Sequence, residues 1–320
     1  MSEWYNPSGY EIGRPFQGEI YWYLEDGYGT GIPSDQGVKG RYSVSVSSVV
    51  EVARMETGEV NKYYRGIDSV YISKATKTNT DRTFHLEYLL QTDDALLEYL
   101  VDRSVGTVRS LGFIVGANTD MTGMNSWWEM KGCKCKTVEI ASSTGEAWKV
   151  SADFSVSGTS VNDVQTDIAA AGEPKSSVTD AGLTGDIAMF NVGATIKAGV
   201  SATNLAYVSD SFSVTVNHNT QDLWNVGSRE KTNVIESALD CTGTADISLD
   251  AGGRLHFQDV LDADTATTIV VTTALVTGAP VITLTNVRWD SSSIDVSPGN
   301  EAMMESAPFT AEQIAVSTRA

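Results

Sequence analysis

The groups in this sequence that could do chemistry are few, and their spacings can be tested against known reactions. Cysteines stand at Cys133, Cys135 and Cys241, histidines at His85, His218 and His256. On a strand, Cys133 and Cys135 would point to one face, but no second Cys or His pair follows at zinc-finger spacing. They read as small unpaired side chains of a reducing compartment. Asp93-Asp94 and the group Asp259, Asp262 and Asp264 could supply paired carboxylates or a calcium site. The first pair sits where a helix N-terminus favours negative charge; the second lacks the spacing and closing Glu of a calcium loop. Trp127-Trp128 could stack on a sugar ring, or pack between domains as strand-end aromatics do. The glycines of Asp26-Gly-Tyr-Gly-Thr-Gly-Ile-Pro-Ser-Asp35 lack the Gly-Lys-Ser/Thr and the strand-to-helix setting of a phosphate loop. With no Ser/His/Asp elbow and no His/Glu metal signature either, the residues predict no active site, metal or cofactor, and no enzyme.

Charge narrows the remaining classes. The 320 residues carry a net charge of −19, and residues 1–160 hold 21 acids and 15 bases against 20 and 7 in residues 161–320. Affinity for a phosphate backbone comes from Lys and Arg that displace counterions, so static nucleic-acid binding is not expected. An acid excess with few lysines would also suit a high-salt organism. No apolar run approaches a membrane span, and no charged-then-apolar leader opens the sequence, so a soluble cytosolic product without membrane contact is expected.

The elements that would position any site are strands. Apolar content is 41 %, Val, Thr, Ser and Gly are abundant, and turn signals recur at short intervals. Residues 1–18 read as an arm whose Trp4, Tyr10 and Phe16 dock on a neighbouring subunit or on their own domain. A first unit, residues 19–160, has strands near 19–24, 41–50 and 69–73, the last two forming a hairpin with a charged tip at 51–65. Further strands follow near 83–90, 111–115, 133–140 and 147–156. A short amphipathic helix over 91–101 is capped by Thr92 or Asp93 and carries apolar residues at 96, 97, 100 and 101. Residues 161–185 are Gly/Ser/Thr/Asp-rich and read as a linker or insertion, its polar composition starting at 157.

The second unit, residues 186–320, repeats the order of elements: strands near 187–196, 212–216, 244–249, 268–273, 281–287, 293–296 and 303–311, with a helix candidate at 253–261. Residues repeat too. Ser151-Ala-Asp-Phe-Ser155 matches Ser306-Ala-Pro-Phe-Thr310, and Val138-Glu-Ile140 matches Ile294-Asp-Val296. Tyr42-Ser-Val-Ser-Val46 matches Phe212-Ser-Val-Thr-Val216, and Thr83–Leu89 matches Thr244–Asp250, with a competing register that sets His85 on His256.

Four stretches carry a family resemblance: Ser211-Phe-Ser-Val-Thr-Val-Asn-His-Asn219, Trp224-Asn-Val-Gly-Ser-Arg-Glu230, Glu25-Asp-Gly-Tyr-Gly-Thr-Gly31 and Glu305-Ser-Ala-Pro-Phe309. With them the chain resembles the tail tube (major tail) proteins of long-tailed bacterial or archaeal viruses, most over residues 205–311. The resemblance implies a mainly β fold: two tandem tail-tube-like β-sandwich or open-barrel domains, each with one flanking α-helix. It implies stacked rings of six domains around a channel that conducts the genome, in a virion tail assembled in the host cytoplasm. Implied partners are further copies of the chain, tail terminator, tape measure and baseplate proteins, and double-stranded DNA in transient passage without specific binding. Two domains per chain would make the ring a homotrimeric pseudo-hexamer. Strand alternation then nominates Ser43, Ser45, Glu87, Ser151, Asp153, Ser213, Thr215, Asp246 and Ser248 as lumen-facing, with the opposite faces packed on helices. Contacts between rings or subunits are assigned to Trp4, Tyr10, Phe16, Asn217, His218, Asn219 and Trp224. A capsid decoration or receptor-binding β-protein is the alternative; a carbohydrate-active enzyme using Trp127 and Trp128 is a third reading.

Overall fold

Alternation of apolar and polar side chains becomes strand along most of the chain. The computed structural model describes residues 18–31, 41–45, 50–65, 72–90, 94–101, 108–118, 124–143, 146–161, 195–199, 206–207, 209–248, 267–274, 277–291, 293–294 and 304–318. The first part holds β1 (Gly18–Leu24), β2 (Arg41–Ser45), β3 (Val50–Arg65), β4 (Ile72–Leu89), α1 (Ala95–Val101), β5 (Leu111–Asn118), β6 (Met124–Ser143), β7 (Lys149–Val156) and β8 (Gly158–Val161). After it come β9 (Thr195–Gly199), β10 (Ala206–Tyr207), β11 (Ser209–Asn217), β12 (Gln221–Leu223), β13 (Asn233–Ile235) and β14 (Asp240–Ser248). The chain ends with β15 (Thr267–Thr272), β16 (Pro280–Trp289), β17 (Ser293–Ile294), β18 (Met304–Ala311) and β19 (Gln313–Thr318).

Hydrogen bonding arranges all but two of these strands in three antiparallel sheets that share members, while β12 and β13 form a separate two-stranded pair. A long central sheet runs β3-β4-β7-β6-β11-β14-β18, with β17 and the end of β16 on the far side of β18. A second sheet runs β2-β1-β5-β6-β8 and a third β10-β9-β15-β16-β19. Both β6 and β16 pass from a flanking sheet into the central one. The central order β3-β4-β7-β6 is thus matched, position by position, by β11-β14-β18-β16, and the second sheet by the third. The two sets meet where β6 pairs with β11 over seven residues, from Ser143 opposite Ser211 to Thr137 opposite Asn217.

One face of the central sheet is apolar and buried: Phe84, Leu86 and Tyr88 on β4, Val150, Ala152 and Phe154 on β7, Val138 and Ile140 on β6. It continues with Phe212, Val214 and Val216 on β11, Ala245 on β14, and Ala307 and Phe309 on β18. The flanking sheets cover it with Trp22, Leu111, Phe113 and Met130 on one side and Ile269, Val271, Ile282 and Leu284 on the other, in one continuous core. Phe113 lies 4.9 Å from both Phe84 and Phe154, while Phe309 stacks on Phe212 at 5.9 Å. Each such ring is worth about 1.5–3 kcal/mol of burial, so the sheet-on-sheet contact dominates the fold.

Several expectations change. Among the described residues strands, rather than helices, cover the apolar faces; α1, only seven residues long, packs chiefly against β19 and β6. Its cap is Asp94, whose Oδ1 accepts from Leu97 N at 3.0 Å, rather than Thr92 or Asp93. The stretch 51–65 is not a hairpin tip: it is β3, paired along its length with β4, and Arg41–Ser45 belongs to another sheet, on β1. The charges of 51–65 suggest a tip because Arg54 and Glu56 stand exposed on β3. Gly158–Val161, placed at the start of the polar segment, is the strand β8 on β6. The arm at 1–17, the segment 162–194 and the helix candidate at 253–261 lie outside the described residues.

Candidate functional site: the polar face of the central sheet

The face of the central sheet opposite the core is a continuous polar surface. Strand pairing lays it out in rows. One row runs Glu87, Ser151, Glu139, Thr215, Thr242, Thr310 and Arg288, each opposite the next. The row beside it runs His85, Asp153, Thr137, Asn217 and Asp240. On the other side come Lys149, Ala141, Ser213, Thr244 and Pro308, then Ser143, Ser211, Asp246 and Ser306. Neither the β6–β11 joint nor any other described pairing interrupts these rows.

Short side chains on this surface satisfy one another. Ser211 lies 2.6 Å from Asp246, Ser213 2.9 Å from Thr244, and Thr310 3.0 Å from Asp290. A charged knot occupies one end: His85 Nδ1 is 2.7 Å from Asp153 and its Nε2 3.1 Å from Glu87, which Lys149 also meets at 2.8 Å. Burial works against a charged His85, but the bonds to Asp153 and Glu87 outweigh it and raise the imidazole above its ordinary range. Lys149, then His85, hold Glu87 below the usual carboxylate range. Acids prevail: Glu56, Glu87, Glu139, Asp153, Asp240 and Asp246 face the same side as Arg54, Lys149 and Arg288.

Of the residues nominated from alternation, the structure brings together Glu87, Ser151, Asp153, Ser213, Thr215 and Asp246 on this one face. Ser248 is on β14 opposite Met304, at the end of the same sheet. Ser43 and Ser45 are elsewhere: they sit on β2, opposite Tyr21 and Glu19. The strand that takes the place of β11 in the first set is β3, so the echo between 42–46 and 212–216 joins strands of different sheets. The β7–β18 match holds in register, with Ala152 and Ala307, Phe154 and Phe309 buried alike. Because Ser151 faces Glu87 and Ser306 faces Asp246, Glu87 corresponds to Asp246, two residues from the register read in the sequence.

The residues assigned to outside contacts are engaged at home or undescribed. His218 is fully buried, with Nε2 2.9 Å from Leu100 O of α1. Asn219, at φ 47°, donates from Nδ2 to Asp240 at 2.6 Å and to Ala238 O at 2.8 Å. Asn217 is exposed on the polar face, its Oδ1 accepting from Asn219 N at 2.9 Å, and Trp224 is half-buried with Lys231 Nζ 6.0 Å from its ring. Trp4, Tyr10 and Phe16 lie outside the described residues.

Two polar clusters went unread. The loop after β1 wraps its own anion: Glu25 accepts from Gly29 N at 3.0 Å, Gly31 N at 3.1 Å, Gly132 N at 3.0 Å, and from Ser110 Oγ. Its glycines do cradle a carboxylate, supplied by the chain itself. Burial nevertheless raises the Glu25 carboxyl above its usual range. The segment bearing β12 and β13 folds over the first strand set. Lys231, fully buried, reaches Asp81 at 2.6 Å, Ser155 at 2.8 Å, Asp222 at 3.0 Å and Arg82 O at 3.1 Å. Lys134 meets Val234 O at 2.8 Å and Glu236 at 2.9 Å, and Arg82 meets Glu230 at 3.0 Å. Nothing in one-dimensional spacing links Lys231 to Asp81.

No curated protein matches the chain. A family model described as phage tail tube protein matches residues 57–311, well over half of its length.

Proposed function

The chain belongs to the phage tail tube protein family, a family of structural tail components, and on that premise we propose how it builds a tube. Each chain supplies two tandem tube domains, residues 19–160 and 186–320, with 161–185 between them. Three chains close a ring of six domains; rings stack, and the polar face of the central sheet lines the channel. The observation that carries this reading is the position-by-position match of β3-β4-β7-β6 with β11-β14-β18-β16 in a single unbroken sheet. Closing such a sheet into a barrel removes the free strand edges that otherwise invite aggregation.

The wall chemistry supports passage rather than binding. Hydroxyls already bonded to neighbours offer little to a sliding duplex, and the acidic excess repels phosphate. Double-stranded DNA thus traverses the channel without being held. Assembly takes place in the host cell, where tail terminator, tape measure and baseplate proteins meet the growing tube. Electron microscopy of the purified protein and of virus lysate tests the reading. Tubes whose cross-section holds three chains are expected; isolated monomers with no tubes in lysate would sink it, and rings of six chains would sink the duplication.

A further inference from the structure

The central sheet ends in two strands with unlike surroundings. At one end β3, sixteen residues long, pairs only with β4 among the described residues. At the other, β17 pairs only with β18 among the described residues. Inside the chain, the equivalent edges are already joined, because β11 stands where β3 stands and β6 where β16 and β17 stand. The β6–β11 joint is therefore a template for a contact that the isolated chain cannot make with itself.

From this template we propose that β17 of one copy pairs antiparallel with β3 of the next, with Ile294 opposite Met55 and Ser293 opposite Glu56. The inference rests on the ring proposed above and adds its seam. The register follows from the pairings within the chain. Phe84 faces Met55 and, by the Glu87–Asp246 correspondence, takes the place of Gly243, which faces Val214; so Met55 stands where Val214 does. Glu56 likewise stands where Thr215 does. On the other edge Ser151 faces Glu139 while Ser306 faces Ser293, so Ser293 stands where Glu139 does and Ile294 where Ile140 does. Within the chain, Val214 is opposite Ile140 and Thr215 opposite Glu139.

The residue types agree with the transfer. By register Met55 and Ile294 hold the positions of apolar Val214 and Ile140, and Glu56 and Ser293 those of Thr215 and Glu139, so the sequence alternation carries across the seam. Arg54 and Glu56, paired at 3.3 Å, are each about two-thirds exposed in the isolated chain, as side chains on an open edge should be. A seven-residue joint like that between β6 and β11 would leave no strand edge open on the inner wall.

A disulfide trap reads the register. The variant E56C/S293C, assembled under reducing conditions and then oxidised, is expected to give covalent dimers and trimers of the chain and nothing larger, since cross-strand partners lie within disulfide reach. R54C/S293C, displaced by two residues along the strand, is expected to stay monomeric on a non-reducing gel. Hydrogen exchange on the unmodified protein is the second readout: amides of 52–58 are expected to become protected on assembly. Tubes that form without covalent species from E56C/S293C, or without protection of 52–58, overturn the seam and leave the tube reading standing. Absence of tubes from the unmodified protein would overturn both.

Discussion

The Lys231 cluster makes a quantitative claim, and K231M tests it. Methionine keeps the apolar stem of the lysine in place and removes only the ammonium. What it strands is Asp222, whose side chain is 13 % exposed, whereas Asp81 is 52 % exposed and can turn to water. Removing one partner of a buried ion pair costs about 3–5 kcal/mol, chiefly through the charge left behind. Lys136 remains 3.6 Å from Asp222 and Ser155 2.6 Å from it, so the expected loss is at the low end, about 3 kcal/mol. That corresponds to a roughly 150-fold larger opening constant for the segment. Hydrogen exchange should show it at β12 and β13, with strands β15 and β19 unaffected, and K231M/D222N should regain part of the loss by removing the stranded charge. A second signature is acid lability. Burial opposes a charged Asp222, but Ser155 and Lys231 outweigh it and hold its carboxyl below the ordinary range. Its contribution is therefore complete above the unfolded carboxylate value of about 3.9 and lost as pH falls through the folded value. In K231M the stranded carboxylate is itself the destabilising group, so its protonation as pH falls should recover part of the loss, as D222N does. Unchanged exchange over 221–235 in K231M, or no recovery in the double variant, would refute the account.

Three further outcomes follow from the sheets. In G112A the added methyl would overlap the Tyr23 ring, which lies across from Gly112 and donates to buried Glu129 at 2.6 Å. Displacing the ring adds strain and leaves Glu129 short of a donor, so a loss of about 2–4 kcal/mol in a denaturant melt is expected. NMR titration of His85 should give a value above the ordinary 6.5 or so, and D153N should lower it. The sign is that of a raised base: its stabilisation is full below the unfolded value and fades as pH rises through the folded one. Finally, E139K/T242K places two ammonium groups in the middle row of the polar face. Tubes of this variant should bind duplex DNA with an affinity that falls steeply with salt, measured by co-sedimentation, whereas unmodified tubes should not retain it.

Period-2 patterning made much of the fold legible. Phe212, Val214 and Val216, or Val150, Ala152 and Phe154, fall on one side with short polar residues on the other, and a strand half covered by another sheet has no other way to be written. The strand-order match was legible for a related reason: Ser151–Ser155 and Ser306–Thr310 occupy equivalent places against Glu87 and Asp246. What failed were readings that depend on partners distant in sequence. Met55 and Glu56 look like part of a charged tip until β4 is laid beside them. His218 looks like the polar end of a strand until Leu100 O arrives 118 residues away in sequence. Registers off by two residues keep the same face, so alternation could not distinguish Asp246 from Ser248 as the counterpart of Glu87.

That indifference of a face to a two-residue slip explains why the polar surface was legible in the sequence, where a catalytic constellation would not have been. A catalytic site depends on a few atoms held at fixed mutual distances, and its loss on a slip of register would be total. A polar sheet face needs only that each exposed position be short, hydrogen-bonded or charged, and the rows through Glu87, Ser151, Glu139, Thr215 and Thr242 meet that requirement one residue at a time. His85 and its carboxylates could be mistaken for acid–base machinery. Yet both ring nitrogens are engaged, Asp153 and Glu87 at 2.7 and 3.1 Å, and the Lys149 bond commits the second carboxylate as well. The knot ties β4 to β7 and pairs its charges with one another on the polar face. Substituting it should change the stability of that edge of the sheet and, on the channel proposed above, leave the passage of DNA as it was, which is the reverse of what removing an active-site histidine does.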